Sequence, residues 1–262
     1  MGIPDTSIAV TLYNLRDFCE TESDLDATLD KLCAIGYQAV QVSGVQLPVE
    51  VIARQLNSHG LYCCATHEDF ETLRDKPQQV IGKLQALGCT FTALGCLRPC
   101  FYDGDPARLQ PVIDAFNRMG PVYKAAGVQL GYHNHQREFQ RIHGTKQTWL
   151  EAFYAGTDSK TVCAEIDLHW VTRGGGSPVA WINRVAGRMP VVHFKDFALT
   201  ADAVPHECAI GDGNLDWPAI IEACRKTGVR WYSVEEDNPF PGHNIFDDIK
   251  SSFDYLKSLG VK

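Results

Sequence analysis

Short apolar runs alternate along the chain with longer stretches whose apolar residues recur every three or four positions. The short runs are IAVTLY (8–13), YQAVQVSG (37–44), LYCCATH (61–67), TFTALGCL (90–97), VQLGYHNH (128–135), TVCAEIDL (161–168), PVVHFKDF (190–197) and RWYSVEED (230–237). Each has the length of a strand and is too short for a core helix. Between them lie SDLDATLDKLCAIG (23–36), LPVEVIARQLNSHG (47–60), KPQQVIGKLQALG (76–88), RLQPVIDAFNRMGPVYKAAG (108–127), WPAIIEACRKTG (217–228) and NIFDDIKSSFDYLKSLG (244–260). In the first of these, Leu25, Leu29, Leu32 and Ile35 share one helical face, and Ser23 reads as the N-cap. Several end on glycine, the residue that closes helices in the left-handed conformation. Strands alternating with helices imply βαβ units and a parallel sheet. Eight units predict an α/β fold, a closed (β/α)8 TIM barrel, as a single domain over residues 1–262. An open doubly wound sheet is the alternative. It would carry G-x-G-x-x-G after the first strand, where TLYNLRDFCE stands instead.

Composition narrows the partners. A net charge of −8 disfavours a nucleic-acid partner held by a basic face. No apolar run approaches the length of a membrane helix. The opening MGIPDTSIAV has no charged region ahead of a long apolar stretch, so no secretory signal is expected, and Thr6 and Ser7 give its MG start a poor context for myristoylation. Of the ten cysteines, Cys33, Cys63, Cys64, Cys163 and Cys224 sit in apolar runs and read as small hydrophobes. Cys96 and Cys100 are spaced C-x-x-x-C, neither a zinc-knuckle nor a thioredoxin spacing. A reduced, cytoplasmic setting is expected. The glycine-rich RGGGS (173–177) lacks the lysine of a phosphate loop.

The polar residues that interrupt the apolar runs cluster at strand C-terminal ends. They are His67, Glu68 and Asp69; His133, His135 and Glu138; Glu165, Asp167 and His169; His193, Lys195 and Asp196; and Glu235, Glu236 and Asp237. A barrel gathers these ends on one face. Several have plain structural readings. Glu68 or Asp69 caps the next helix, Asp196 caps a helix or pairs with Lys195, and Glu165 faces outward against a helix. His59 and His243, in polar turns, read as surface residues. The joint pattern is different, because buried charges without partners cost several kcal/mol each and a bound cation removes that penalty. An oxygen-rich set of carboxylates with one histidine favours Mn²⁺, Mg²⁺ or Co²⁺, with Zn²⁺ as a further candidate.

YHNHQREF, EIDLHWV, VVHFKD, GDGNLDW and VEED together resemble the sugar phosphate isomerase/epimerase group of xylose-isomerase-like TIM barrels. The resemblance implies a divalent metal at the strand ends, held by Asp167, His193, Glu235 and a fourth group. Glu138 is favoured as that fourth ligand, and His133 is the alternative. Val42 stands where many relatives carry glutamate. The resemblance also implies catalytic roles for His135 in proton transfer, Lys195 at substrate oxygens, and Glu138 and Glu235. Substrate contacts are expected from His133, Arg137, His169, Trp170 and Glu207, the last in the loop HECAIGDGNLDW. Tyr132 and Phe194 are further stacking candidates. The implied reaction is isomerisation or epimerisation of a ketose or keto-cyclitol through an enediolate, the sugar free or phosphorylated. The alternative is a lyase of the inosose-dehydratase or keto-glycoside type that shares the enolate. An abasic-site endonuclease and a non-catalytic sugar-binding barrel are remoter readings. The expected partners are a small sugar and further copies of the chain in a dimer or tetramer, with no nucleic acid and no membrane.

Overall fold

All eight apolar runs form strands. In the computed structural model, which describes residues 2–262 and so leaves Met1 of the opening segment outside the described residues, they are β1 (Ile8–Thr11), β2 (Ala39–Val42), β3 (Tyr62–Glu68), β4 (Phe91–Leu94), β5 (Gln129–His133), β6 (Val162–Asp167) and β7 (Val191–Phe194). A short antiparallel hairpin, β8 (Asp196–Leu199) and β9 (Pro205–Cys208), then rises from the end of β7, and β10 (Trp231–Val234) is the eighth barrel strand. The eight pair in parallel, and β10 pairs with both β7 and β1 to close the cylinder. The chain is thus a (β/α)8 barrel.

Among the described residues ten α-helices follow the strands: α1 (Glu22–Ile35), α2 (Val49–His59), α3 (Phe70–Asp75), α4 (Pro77–Leu87), α5 (Pro106–Ala125), α6 (Trp149–Gly156), α7 (Leu168–Arg173), α8 (Pro178–Arg184), α9 (Trp217–Thr227) and α10 (Ile245–Ser258). The six amphipathic stretches correspond to α1, α2, α4, α5, α9 and α10. The N-cap of α1 is Thr21 rather than Ser23. The Thr21 hydroxyl accepts from the Asp24 N–H while the Asp24 carboxylate accepts from the Thr21 N–H, a reciprocal box that Ser23, already inside the first turn, cannot form.

Along each strand, alternate residues face the lumen. Its lower half is an apolar floor of Ala9, Ala39, Phe91, Ala93, Val191 and Trp231. Gly131 makes room there, since a Cβ would fall 2.6 Å from Phe91 Cζ. The opposite strand faces meet the helices in a larger core that includes Val10, Val40, Leu130, Ile166 and Val192. Ten thiols are free. Cys63, Cys64 and Cys224 are buried as expected, whereas Cys33 is exposed, one position off the buried stripe of α1. RGGGS is a packing element, with Gly174 and Gly176 lying against the Phe139 ring. No described helix is long and apolar enough to cross a membrane.

Candidate metal centre

Four strand ends bring their acids and imidazoles together at the C-terminal mouth. Asp167 closes β6 and stands opposite His193 of β7, and His193 in turn stands opposite Ser233, two residues before Glu235. His133 closes β5. One ligand atom from each of His133, Asp167, His193 and Glu235 lies within 4.8 Å of all the others. A second set, His67, His133, Glu165 and His193, meets the same limit. Glu165 precedes Asp167 by two residues on β6, so this second set reaches deeper into the lumen.

The contacts are dense. His193 Nδ1 is 2.8 Å from Glu235 Oε2, and its Nε2 is 2.8 Å from Gln41 Oε1. Glu165 Oε2 lies 2.5 Å from His67 Nε2 and 3.5 Å from His133 Nδ1. Lys195 Nζ is 2.5 Å from Asp237 Oδ2, 3.2 Å from Glu235 Oε2 and 3.6 Å from Asp167 Oδ2. Burial pushes the Asp167 carboxyl up to about 8 against the pull of Lys195. Burial works the same way on Glu235, yet His193 and Lys195 outweigh it and hold Glu235 well below the usual carboxylate range. Burial lowers the His135 imidazole to about 4, and the Lys195 charge adds to the effect.

The donor set fits a divalent cation. Asp167 Oδ2 and His133 Nδ1 are buried without hydrogen-bond partners, and two carboxylates with two imidazoles can supply hard oxygen and borderline nitrogen ligands. Buried amides steady the strand ends. Asn134 Oδ1 accepts from the Asp167 N–H at 3.1 Å, and Asn14 bridges β10 through Val234 O and the Glu236 N–H.

Several expected positions move. Glu138 does not join the donor group. It sits in a short 3-10 turn after β5, and its Oε1 accepts from the Tyr102 and Tyr132 hydroxyls at 3.0 and 2.9 Å. His133, the alternative, stands in its place. Arg137 is exposed on a separate cavity beside Tyr102 and Phe139. Glu207 accepts from the backbone N–H groups of Asp237 and Asn238 and so shapes the turn after β10. Tyr132 and Phe194 pack in the outer core against Phe153 and Trp217 and do not reach the mouth. Glu165 points inward, not outward, because it shares the face of Asp167. Asp196 is not the partner of Lys195. It organises the loop after β9, accepting from Gly211 N, Gly213 N and Trp217 Nε1, and the backbone of HECAIGDGNLDW is thereby occupied. Asp69 caps α3 and Glu68 pairs with Lys83. His59 is largely covered by Asp26 and Asp30, while His243 is exposed.

His135 and Trp170 stand beside the group with ring centroids 5.7 Å apart, and His169 packs edge-on against Trp170 with both ring nitrogens unpartnered. Gln41 and His67 complete the centre, and the sequence pattern does not mark either as a ligand. Gln41 carries no charge, and His67 stands beside two acids suited to capping the next helix. Above the group opens a cavity of about 540 Å³, walled by His67, His133, His135, Glu235, Asp237 and Tyr13. That volume suits a monosaccharide-sized ligand.

A sugar phosphate isomerase/epimerase from Parabacteroides distasonis superposes with a TM-score of 0.82 at 22% identity, over 98% of this chain and 95% of that one. A xylose isomerase-like TIM barrel protein from Mycobacterium smegmatis, solved in complex with magnesium, gives 0.73 at 16% identity, over 97% and 96%. At these identities the likeness is one of fold. The inosose dehydratase of Lacticaseibacillus casei is 25% identical over 175 residues, which are 61% of this chain and 56% of that protein, so the match spans little more than half of the relative. A profile of the xylose isomerase-like TIM barrel family matches residues 29–259, and the chain belongs to that family.

Proposed function

We propose that the chain is a divalent-metal-dependent isomerase or epimerase of a ketose or keto-cyclitol. One observation carries this reading: ligand atoms of His133, Asp167, His193 and Glu235 converge beside a sugar-sized cavity that His133 and Glu235 line, with Asp167 Oδ2 and His133 Nδ1 making no hydrogen bond. These four residues would hold Mn²⁺, Mg²⁺ or Co²⁺, with Zn²⁺ next in suitability. When bound, the metal supplies Lewis-acid polarisation of a substrate carbonyl, which makes the neighbouring C–H acidic. His135 lines the cavity with its Nδ1 unpartnered and takes that proton. Lys195, fixed by Asp237 and Glu235, donates to a substrate oxygen, and Trp170, whose ring centroid is 5.0 Å from Lys195 Nζ, offers an apolar face to the sugar carbons.

The likeness to an inosose dehydratase favours a second reading, a lyase that begins with the same proton abstraction and then expels a leaving group β to the carbonyl. His135, which lines the cavity beside the donor group, then returns that proton to the leaving group. The ten free thiols suit a reducing cytoplasm, and the charge of −8 suits a small substrate better than nucleic acid. Association into dimers or tetramers remains part of this proposal.

Proton NMR in D₂O with added Mg²⁺ and a panel of ketoses and inososes tests it. Disappearance of one C–H signal without product establishes enolisation, and a new vinyl signal establishes elimination. No exchange with any substrate, together with no metal retained by the purified chain, sinks both readings.

A further inference from the structure

The cavity wall is acidic, and its cations are already engaged. Four carboxylates line it, those of Glu68, Asp69, Glu235 and Asp237, while Lys83 is the one lysine or arginine among the described lining residues. Lys83 Nζ is 2.6 Å from Glu68 Oε1. Lys195, reaching up from β7, is held by Asp237 and Glu235. Arg16 at the rim donates to the backbone carbonyls of Tyr13 and Asp237 at 2.8 and 3.3 Å, and Arg98 pairs with Glu71 at 2.8 Å. At the start of α3 the Thr72 N–H is taken by Asp69 Oδ1 at 2.8 Å. Arg137 serves a different cavity.

Phosphate recognition needs the opposite arrangement, with unpaired guanidinium or ammonium groups or a cradle of free N–H donors. A phosphate monoester carries about −1.5 to −2 at neutral pH. Brought beside these carboxylates it meets like-charge repulsion, and the lysines that would offset it are already paired with them. Sugar hydroxyls meet a favourable surface. They donate to carboxylate oxygens, which an ionised phosphate cannot do, and they exchange hydrogen bonds with the Tyr13 hydroxyl and the Gln46 amide.

We infer that the site takes an uncharged polyhydroxy carbonyl compound, a free ketose or inosose, and discriminates against its phosphate ester. This rests on the enolising reading of the site and narrows its substrate class. The test uses matched probes, D-ribulose with D-ribulose 5-phosphate and D-fructose with D-fructose 6-phosphate. Binding is followed by saturation-transfer NMR and C–H exchange in D₂O, with Mg²⁺ present. The free sugar of at least one pair is expected to bind at least tenfold more tightly than its ester. In Glu68→Gln, which leaves Lys83 without its partner, the gap is expected to narrow several-fold through better ester binding. Tighter binding of the esters, binding of no probe, or an unchanged ratio in Glu68→Gln overturns the inference. A preference for free sugars without any C–H exchange upholds it while defeating the enolising reading, so the two failures are distinct.

Discussion

The two ends of the same eight strands obey different chemistry. At the lower end the lumen is filled by Ala9, Ala39, Phe91, Ala93, Val191 and Trp231, whose demands are met by packing alone. Two to four residues further along, the same inward faces carry Gln41, His133, Glu165, Asp167, His193, Lys195 and Glu235, buried just as deeply. Packing cannot satisfy those groups. They balance one another through His193, Lys195 and short contacts, and they still leave Asp167 Oδ2 and His133 Nδ1 without hydrogen bonds. The floor is therefore complete as built, whereas the mouth keeps buried donor atoms that the proposed metal and sugar would satisfy. Stability and function are thus separated along the strand axis.

The sharpest way to break that comparison is at the mouth. Asp167→Ala removes one donor and should leave the floor untouched. Metal per chain, measured by plasma mass spectrometry, is expected to fall below about a tenth of the wild-type value, and C–H exchange by on the order of a thousandfold, about 4 kcal/mol. Full metal retention in a folded Asp167→Ala protein would remove the basis of the centre. A second test concerns a carboxylate that is buried without needing a cation. Burial pushes Glu138 up to about 7, against the hydrogen bonds from the Tyr132 and Tyr102 hydroxyls. Its ordinary value is 4.5. Between these values the folded chain binds more protons than the unfolded one, so stability is full below 4.5, falls as pH rises through about 7, and is level beyond. The fall is about 3 kcal/mol, and Glu138→Gln should abolish it. Denaturant midpoints at pH 5 and pH 8 measure the difference, and parallel curves for variant and wild type would refute it.

Much of this is legible in the sequence, and the exceptions have physical causes. The eight strands announce themselves because a buried parallel strand is a nearly unbroken apolar run. Asp167, His193 and Glu235 are visible because a charge set flush against such a run is costly to bury unless a partner or a cation meets it. Glu165 is readable too. Period two puts it on the face of Asp167, and the outward reading fails on that parity. The same rule carries His193 to Lys195 and leaves Asp196 on the opposite face, where it gathers loop amides. Glu138 has no such rule to place it, since it lies beyond the strand in a 3-10 turn whose direction depends on Tyr102, a residue 36 positions away in the chain. The helices α3 and α7 escape because six residues are too few to show a helical period. The hairpin of β8 and β9 escapes because its residues are half exposed and weakly patterned.

The remaining tests are smaller and separate fold from function within each end. Gly131→Ala places a methyl 2.6 Å from Phe91 Cζ in the floor and is expected to destabilise by about 2 kcal/mol. Metal content and exchange per folded chain should hold, and their loss would show that the floor sets the geometry of the mouth. The smallest effect is expected at Asp69, which lines the cavity yet spends its carboxylate on the Thr72 N–H and hydroxyl. Loss of an N-cap costs about 1 kcal/mol, and serine at the same position retains the cap. Asp69→Ala should therefore lower stability by that amount, and Asp69→Ser should restore most of it. Both should keep the metal, because Asp69 belongs to neither donor group. If metal content instead followed the carboxylate, falling equally in the alanine and serine variants, Asp69 would act on the ion through its charge. The boundary between the self-sufficient part of the barrel and the part that needs a ligand would then lie one strand end further round the mouth.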